Sequence, residues 1–161
     1  ATGMLFRALD IDNDESNKII PATSSGTYSF KFRPLSSDTE LTHYQGQVEI
    51  DSFFIARRNN KKCLFIIEAK LGKKGQGGRS DKSLAKHKLL YPILALQQNI
   101  DQEITVVPVY IRFVINNDKK FTTSSEIEVN IVECKLPRHF NVFGALNEMK
   151  PVKSSKYLLR L

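Results

Sequence analysis

Cysteine is scarce in this chain. Cys63 and Cys134 are the only two, and both lie within apolar runs, so they read as small core residues, not as a disulfide framework or a structural zinc site. Long apolar runs are missing too. No stretch approaches the ~20 residues of a membrane-spanning helix, and the N-terminus lacks the charged-then-apolar pattern of a signal segment. The expectation is a cytoplasmic protein with no membrane partner. Two ligand-binding loops fail, each at two positions. Leu71–Ser80 is glycine-rich, but counting from Gly72 places Gly78 and Arg79 where a P-loop needs Lys and Ser or Thr. Residues 10–18 are acidic, but they lack the glycine and the terminal glutamate of an EF-hand and read as a solvated loop. No internal repeat appears.

What is present is ordinary for a globular chain. The 161 residues are 41% hydrophobic and 25% charged, enough for one domain with a real core and too apolar for disorder throughout. The formal net charge of +7 sets up a field that attracts polyanions, which favours nucleic acid over acidic small molecules as a partner. Ala1-Thr-Gly3 ahead of Met4 reads as a remnant of an expression tag, or the chain is a domain cut from something larger.

Two apolar runs carry charges that do not belong in a core. Asp51 sits in Val48-Glu-Ile-Asp-Ser-Phe-Phe-Ile55, and Glu68 with Lys70 sits in Leu64-Phe-Ile-Ile-Glu-Ala-Lys70. Val, Ile and Phe dominate both runs, and Arg57–Lys62 is a polar break, so the pair reads as a β-hairpin. If Asn59 and Asn60 form a two-residue loop, a place suited to Asn because it tolerates positive φ, Arg58 pairs with Lys61 and Asp51 with Glu68. Alternation then puts Glu49, Asp51, Glu68 and Lys70 on one face. Two carboxylates about 4 Å apart repel by roughly 4 kcal/mol at an effective dielectric near 20. Lys70 answers one of these acids and a divalent cation would answer the rest. Mg²⁺ suits the place because it takes one or two carboxylates and keeps waters that a phosphate and a nucleophile can replace.

Spacing alone does not single these residues out. An acid, any residue, then Lys recurs at Asp118-Lys-Lys120, Glu133-Cys-Lys135 and Glu148-Met-Lys150. Context separates them. Asp118 lies in a polar loop, Glu148 follows a short apolar patch, and the strand predicted to pair with Glu133 offers Arg112 and no acid. Only Glu68 has an opposed Asp.

Asp51, sixteen intervening residues and then Glu68-Ala69-Lys70 on the adjacent apolar strand resemble the catalytic signature of the PD-(D/E)XK nuclease superfamily, with Ile50 standing where the family name has Pro. The resemblance covers roughly residues 38–115. It implies an α/β (α+β) fold with a restriction-endonuclease-like core, a central mixed β-sheet flanked by helices, spanning about 38–136 within a single nuclease-like domain of residues 1–161. It implies that Asp51, Glu68 and the backbone carbonyl of Ala69 hold Mg²⁺, with Mn²⁺ able to substitute. Lys70 would orient or deprotonate the attacking water and steady charge on the phosphate. Glu40, placed on a short first helix, and Glu49 are candidates for an additional acid, and Lys88 on the following helix is a polar residue aimed at the metal. The alternative is a salt bridge from Asp51 or Glu49 to Lys70 on an edge strand.

The remaining chain fits around this site. Lys73, Lys74, Arg79 and Lys82 would contact DNA phosphates beside the cut, or else belong to a solvated loop. A helix is predicted around Leu84–Gln98, capped by Asp81 or Ser83 and bent at Pro92. Gly26–Arg33, Ile104–Ile115 and Glu126–Leu136 read as strands, and Arg138–Met149 as a short closing helix. Tyr157-Leu-Leu in the basic tail predicts docking on the core or on a second subunit, and a homodimer would suit cutting of both strands of a duplex. The reading that results is a Mg²⁺-dependent DNA endonuclease of restriction type. A catalytically silent nucleic-acid-binding domain and a branched-DNA resolvase are the alternatives. No recognition helix or base-reading motif is identifiable, so sequence specificity is not legible, and whether a separate recognition domain exists is left open.

Overall fold

A computed structural model describes residues 2–13, 19–33, 39–73, 80–96, 99–116, 126–136 and 149–160. Helix α1 (Thr2–Ala8) is followed by strands β1 (Ala22–Phe32), β2 (Leu41–Arg58) and β3 (Lys61–Lys73), helix α2 (Ser80–Leu96), and strands β4 (Thr105–Asn116), β5 (Glu126–Lys135) and β6 (Lys150–Arg160). The six strands form one sheet in the order β1-β2-β3-β4-β5-β6. Every neighbouring pair is antiparallel except β3 and β4, which run parallel and are joined by the α2 crossover, as parallel strands require.

This corrects the expected architecture. The chain does not build the helix-flanked α/β core of restriction-endonuclease type; it is mainly a single six-stranded mixed sheet, with only α1, seven residues, and α2, seventeen, as helices among the described residues. The reason lies at both ends of the sequence. The stretch before the hairpin forms β1 and the first half of β2, and Glu40 stands just before β2 instead of on a helix. The basic tail alternates in burial from Val152 to Leu158 and pairs along β5, so it becomes the sixth strand. The predicted closing helix at 138–149 falls almost wholly outside the described residues.

The β2–β3 hairpin matches its predicted register. Asn59 and Asn60 have φ of 53° and 60°, the two left-handed residues of a type I′ turn, and pairing runs from Arg58↔Lys61 to Ser52↔Ile67 without a shift. The N-terminal segment, expected to be a solvated loop, fastens this turn. Both carboxylate oxygens of Asp12 accept backbone N–H groups, from Asn59 and Asn60, each at 2.9 Å.

Alternation on β3 divides the core. Cys63, Phe65 and Ile67 pack on one face with Phe54, Val109, Ile131 and the α1 segment around Leu9. Leu64 and Ile66 pack on the other with Ile50 and with Ile93 of α2. Phe65 is fully buried, its ring stacked on Phe54 at 5.0 Å. Tyr91 of α2 meets the rings of Phe30 and Phe32 on β1 at 5.2 and 5.1 Å, so the β1–β2 hairpin also reaches α2.

β2 does not run straight. Opposite β1 the pairing steps from Ala22↔Phe53 to Ser24↔Ile50, so β2 carries one extra residue there, a β-bulge at Asp51–Ser52. The bulge resets the alternation. Ile50 and Phe53, three positions apart and so on opposite faces of a regular strand, pack in the same cluster.

Candidate functional site

Glu68 follows Leu64 and Ile66 on the α2-facing side of β3. It is only 3% exposed and is the one charged side chain buried in the core among the described residues. Its Oε1 lies 3.1 Å from Lys88 Nζ, and that buried oxygen meets no other donor among the described residues. Burial pushes the Glu68 carboxyl above its ordinary range; Lys88 opposes the shift and the nearby Asp51 carboxylate adds to it.

Asp51 reaches the same place by way of the bulge. The β2–β3 ladder stops at Ser52↔Ile67, and the next outward-facing amide on β3, that of Ala69, donates to Asp51 Oδ2 at 2.8 Å. The carboxylate thus stands in for a ladder carbonyl and is held beside Glu68, while Asp51 itself stays exposed. Lys88 arrives from α2. Its ion pair with Glu68 holds its ammonium above the usual range, and Asp51 and Glu49 act in the same direction.

The other predicted residues separate. Lys70 shares the Glu68 face of β3 by alternation, one pair further along, and makes no ion pair among the described residues; its register partner is Arg112. Glu49 is exposed between the buried Val48 and Ile50 and lies 3.5 Å from Gln47 Nε2; it is not paired with Asp51 or Glu68 but lines the cleft beside Lys88. Glu40 pairs with Lys31 of β1 at 2.8 Å and stays out of the site. Lys74 and Arg79 lie outside the described residues. Lys73 ends β3 and Lys82 is in the first turn of α2, but their side chains are not among those described. Glu133 is a structural ion-pair residue, 2.7 Å from Arg58.

Two basic residues were not legible as part of this surface. Register across β3–β6 aligns Lys70, Arg112, Asn130 and Lys156 in one row on the Glu68 side. A Cβ added to Gly72 would lie 2.9 Å from Arg112 Nε, so glycine lets that guanidinium lie down on β3. Only the pairing of β4 and β6 reveals this row, and the sequence signal for it was limited to apolar residues in the tail.

A shallow cleft of about 290 Å³ lies on the Lys88 side of the site. Gln47, Val48 and Glu49 of β2 and His87, Lys88, Tyr91 and Pro92 of α2 line it. His87 and Tyr91, one turn apart, meet edge to face at 5.2 Å.

The chain belongs to the family described as a domain of unknown function (DUF6997), whose model matches residues 1–124. That stretch runs from α1 through β4 and contains Asp51, Glu68, Lys70 and Lys88. No curated protein and no solved structure matches the chain. No helix among the described residues is long and apolar enough to cross a membrane.

Proposed function

We propose that this domain is a divalent-cation-dependent DNA endonuclease centred on Asp51, Glu68 and Lys70. The observation that carries the reading is Glu68. A carboxylate 3% exposed, beside a second acid and with a buried oxygen that only Lys88 meets, is costly to folding unless a cation completes it. Mg²⁺ fits this donor set, since it accepts one or two carboxylates and fills its remaining positions with water. Asp51 and Glu68 would hold it, with the Ala69 carbonyl as a further oxygen. When bound, it would lower the pKa of a coordinated water and draw charge from the scissile phosphate.

The chain's own residues supply the rest. Asp51 is oriented by the Ala69 N–H, so its geometry is fixed before any ligand arrives. Lys70, unpaired among the described residues, is free to meet a phosphate oxygen and stabilise the charge that builds as water attacks phosphorus and the P–O bond breaks. Arg112 and Lys156 continue the basic row, where backbone phosphates would be neutralised. The net charge of +7 supports a polyanionic substrate. A restriction-type role is the narrowest version of this proposal; branched DNA is the competing substrate.

The test is a panel of supercoiled, linear and four-way-junction DNA with Mg²⁺ or Mn²⁺. Nicking or cutting that is lost in Asp51→Ala, in Glu68→Ala and in EDTA supports the proposal. Mobility shifts without cleavage under every condition would replace it with a silent binding domain. Cleavage confined to junctions would make the domain a resolvase.

A further inference from the structure

We propose that Lys88 is the resident counter-cation of the Asp51–Glu68 pair, and that its ammonium and a divalent metal ion exclude one another at Glu68. The inference rests on the metal-dependent reading above and adds the way in which that site is kept closed.

Three observations lead to it. Lys88 Nζ lies 3.1 Å from Glu68 Oε1, the buried oxygen that meets no other donor among the described residues, so the ammonium covers the atom a metal would need. The contact is also weakly built. The Lys88 side chain is 53% exposed while that of Glu68 is 4% exposed. Little packing therefore holds the ammonium there, whereas the carboxylate cannot leave. Finally, the lysine has somewhere to go. Lys88 and Glu49 both line the cleft beside the site, and Glu49 is among the acids that raise the Lys88 pKa. A rotamer change would carry the ammonium from Glu68 toward Glu49 and open the carboxylate pair without moving a strand.

The energetic logic is electrostatic. A unit positive charge a few ångströms from an incoming cation opposes its binding, and a half-exposed ammonium does so less than a buried one. Neutralising Lys88 should therefore tighten cation binding, whereas most substitutions beside a metal site weaken it. The device keeps Glu68 partnered when no metal is bound, since a buried carboxylate left alone is strongly destabilising.

Mn²⁺ binding, followed by electron paramagnetic resonance on the full chain without DNA, tests this. Lys88→Gln and Lys88→Met are expected to bind Mn²⁺ about tenfold more tightly than the wild type, Lys88→Arg within about threefold of it, and the distant control Lys62→Gln with no change beyond about twofold. The two neutral variants differ in polarity, so one that fails to fold leaves the other to report. Unchanged or weaker binding in the neutral variants, with measurable binding in the wild type, overturns the counter-cation role and leaves the metal-dependent reading standing. No Mn²⁺ binding in any folded variant overturns both.

Discussion

Glu68→Gln changes almost no volume and removes one charge from a side chain that is 3% exposed. Three effects decide whether that stabilises the metal-free protein. The attraction lost, between unit charges 3.1 Å apart, is about 5 kcal/mol at an effective dielectric near 20. Lys88 is half exposed, so solvent reduces this to the order of 1–2 kcal/mol. Against it stand the desolvation of the carboxylate, several kcal/mol for a buried ion, and the repulsion from Asp51 that disappears with it. The expected net gain is about 1 kcal/mol, or roughly 2–4 °C in Tm for a chain of this size. The pH dependence has a definite sign. The folded-state pKa of Glu68 is raised above 4.5, so between that value and the raised one the folded chain binds more protons than the unfolded chain, and wild-type stability falls as pH rises through the window. The advantage of Gln is then full above the raised value and fades below 4.5. Urea unfolding of both proteins in EDTA, from about pH 4 to about pH 8, reads this directly. A wild type more stable than Glu68→Gln at neutral pH, or a difference that ignores pH, would refute the claim that an ionised Glu68 opposes folding.

Three further outcomes concern the frame around the site. At the hairpin turn, where Asn60 has φ 60°, Asn60→Gly should stay within about 0.5 kcal/mol of the wild type and Asn60→Val should cost about 1–2 kcal/mol; Asp12→Ala, which strips the acceptor from two amides, should cost about 1–2 kcal/mol, and a neutral result in chemical denaturation would show that the N-terminal segment does not fasten the turn. Glu133→Ala leaves the Arg58 guanidinium, 20% exposed, without its carboxylate and should cost about 2 kcal/mol, much of it recovered in an Arg58→Met, Glu133→Leu double variant, as thermal unfolding would report.

The parts of this structure that could be read in advance were those whose causes are local. Asn59-Asn60 specifies a two-residue turn because Asn accepts positive φ. The turn fixes the pairing of every residue back to Ser52, which brings Asp51 and Glu68 to the same end of the hairpin. The parallel step from β3 to β4 likewise follows from a helical pattern set between two apolar strands. What could not be read are the features that depend on partners distant in sequence. Helix α1 is a single short element whose apolar residues gain nothing until Phe65 and Val109 receive them. The strand β6 becomes a strand only because β5 offers an unpaired edge.

The bulge is the most consequential of these, and it changes the chemistry expected at the site. A straight β2 would have set Glu49, Asp51, Glu68 and Lys70 side by side as three acids and a base. The extra residue between Ile50 and Phe53 leaves Glu49 in the cleft beside Lys88 and frees the Asp51 carboxylate to take the Ala69 amide. Fewer acids then meet, so less repulsion has to be answered, and one ammonium suffices to answer it. That ammonium comes from Lys88 on α2, eighteen positions beyond Lys70. The charge that neutralises the pair thus sits on a different element from the acids. It can leave by a change of rotamer while the strands that hold the acids stay in place, which suits a site partnered when empty and open when filled.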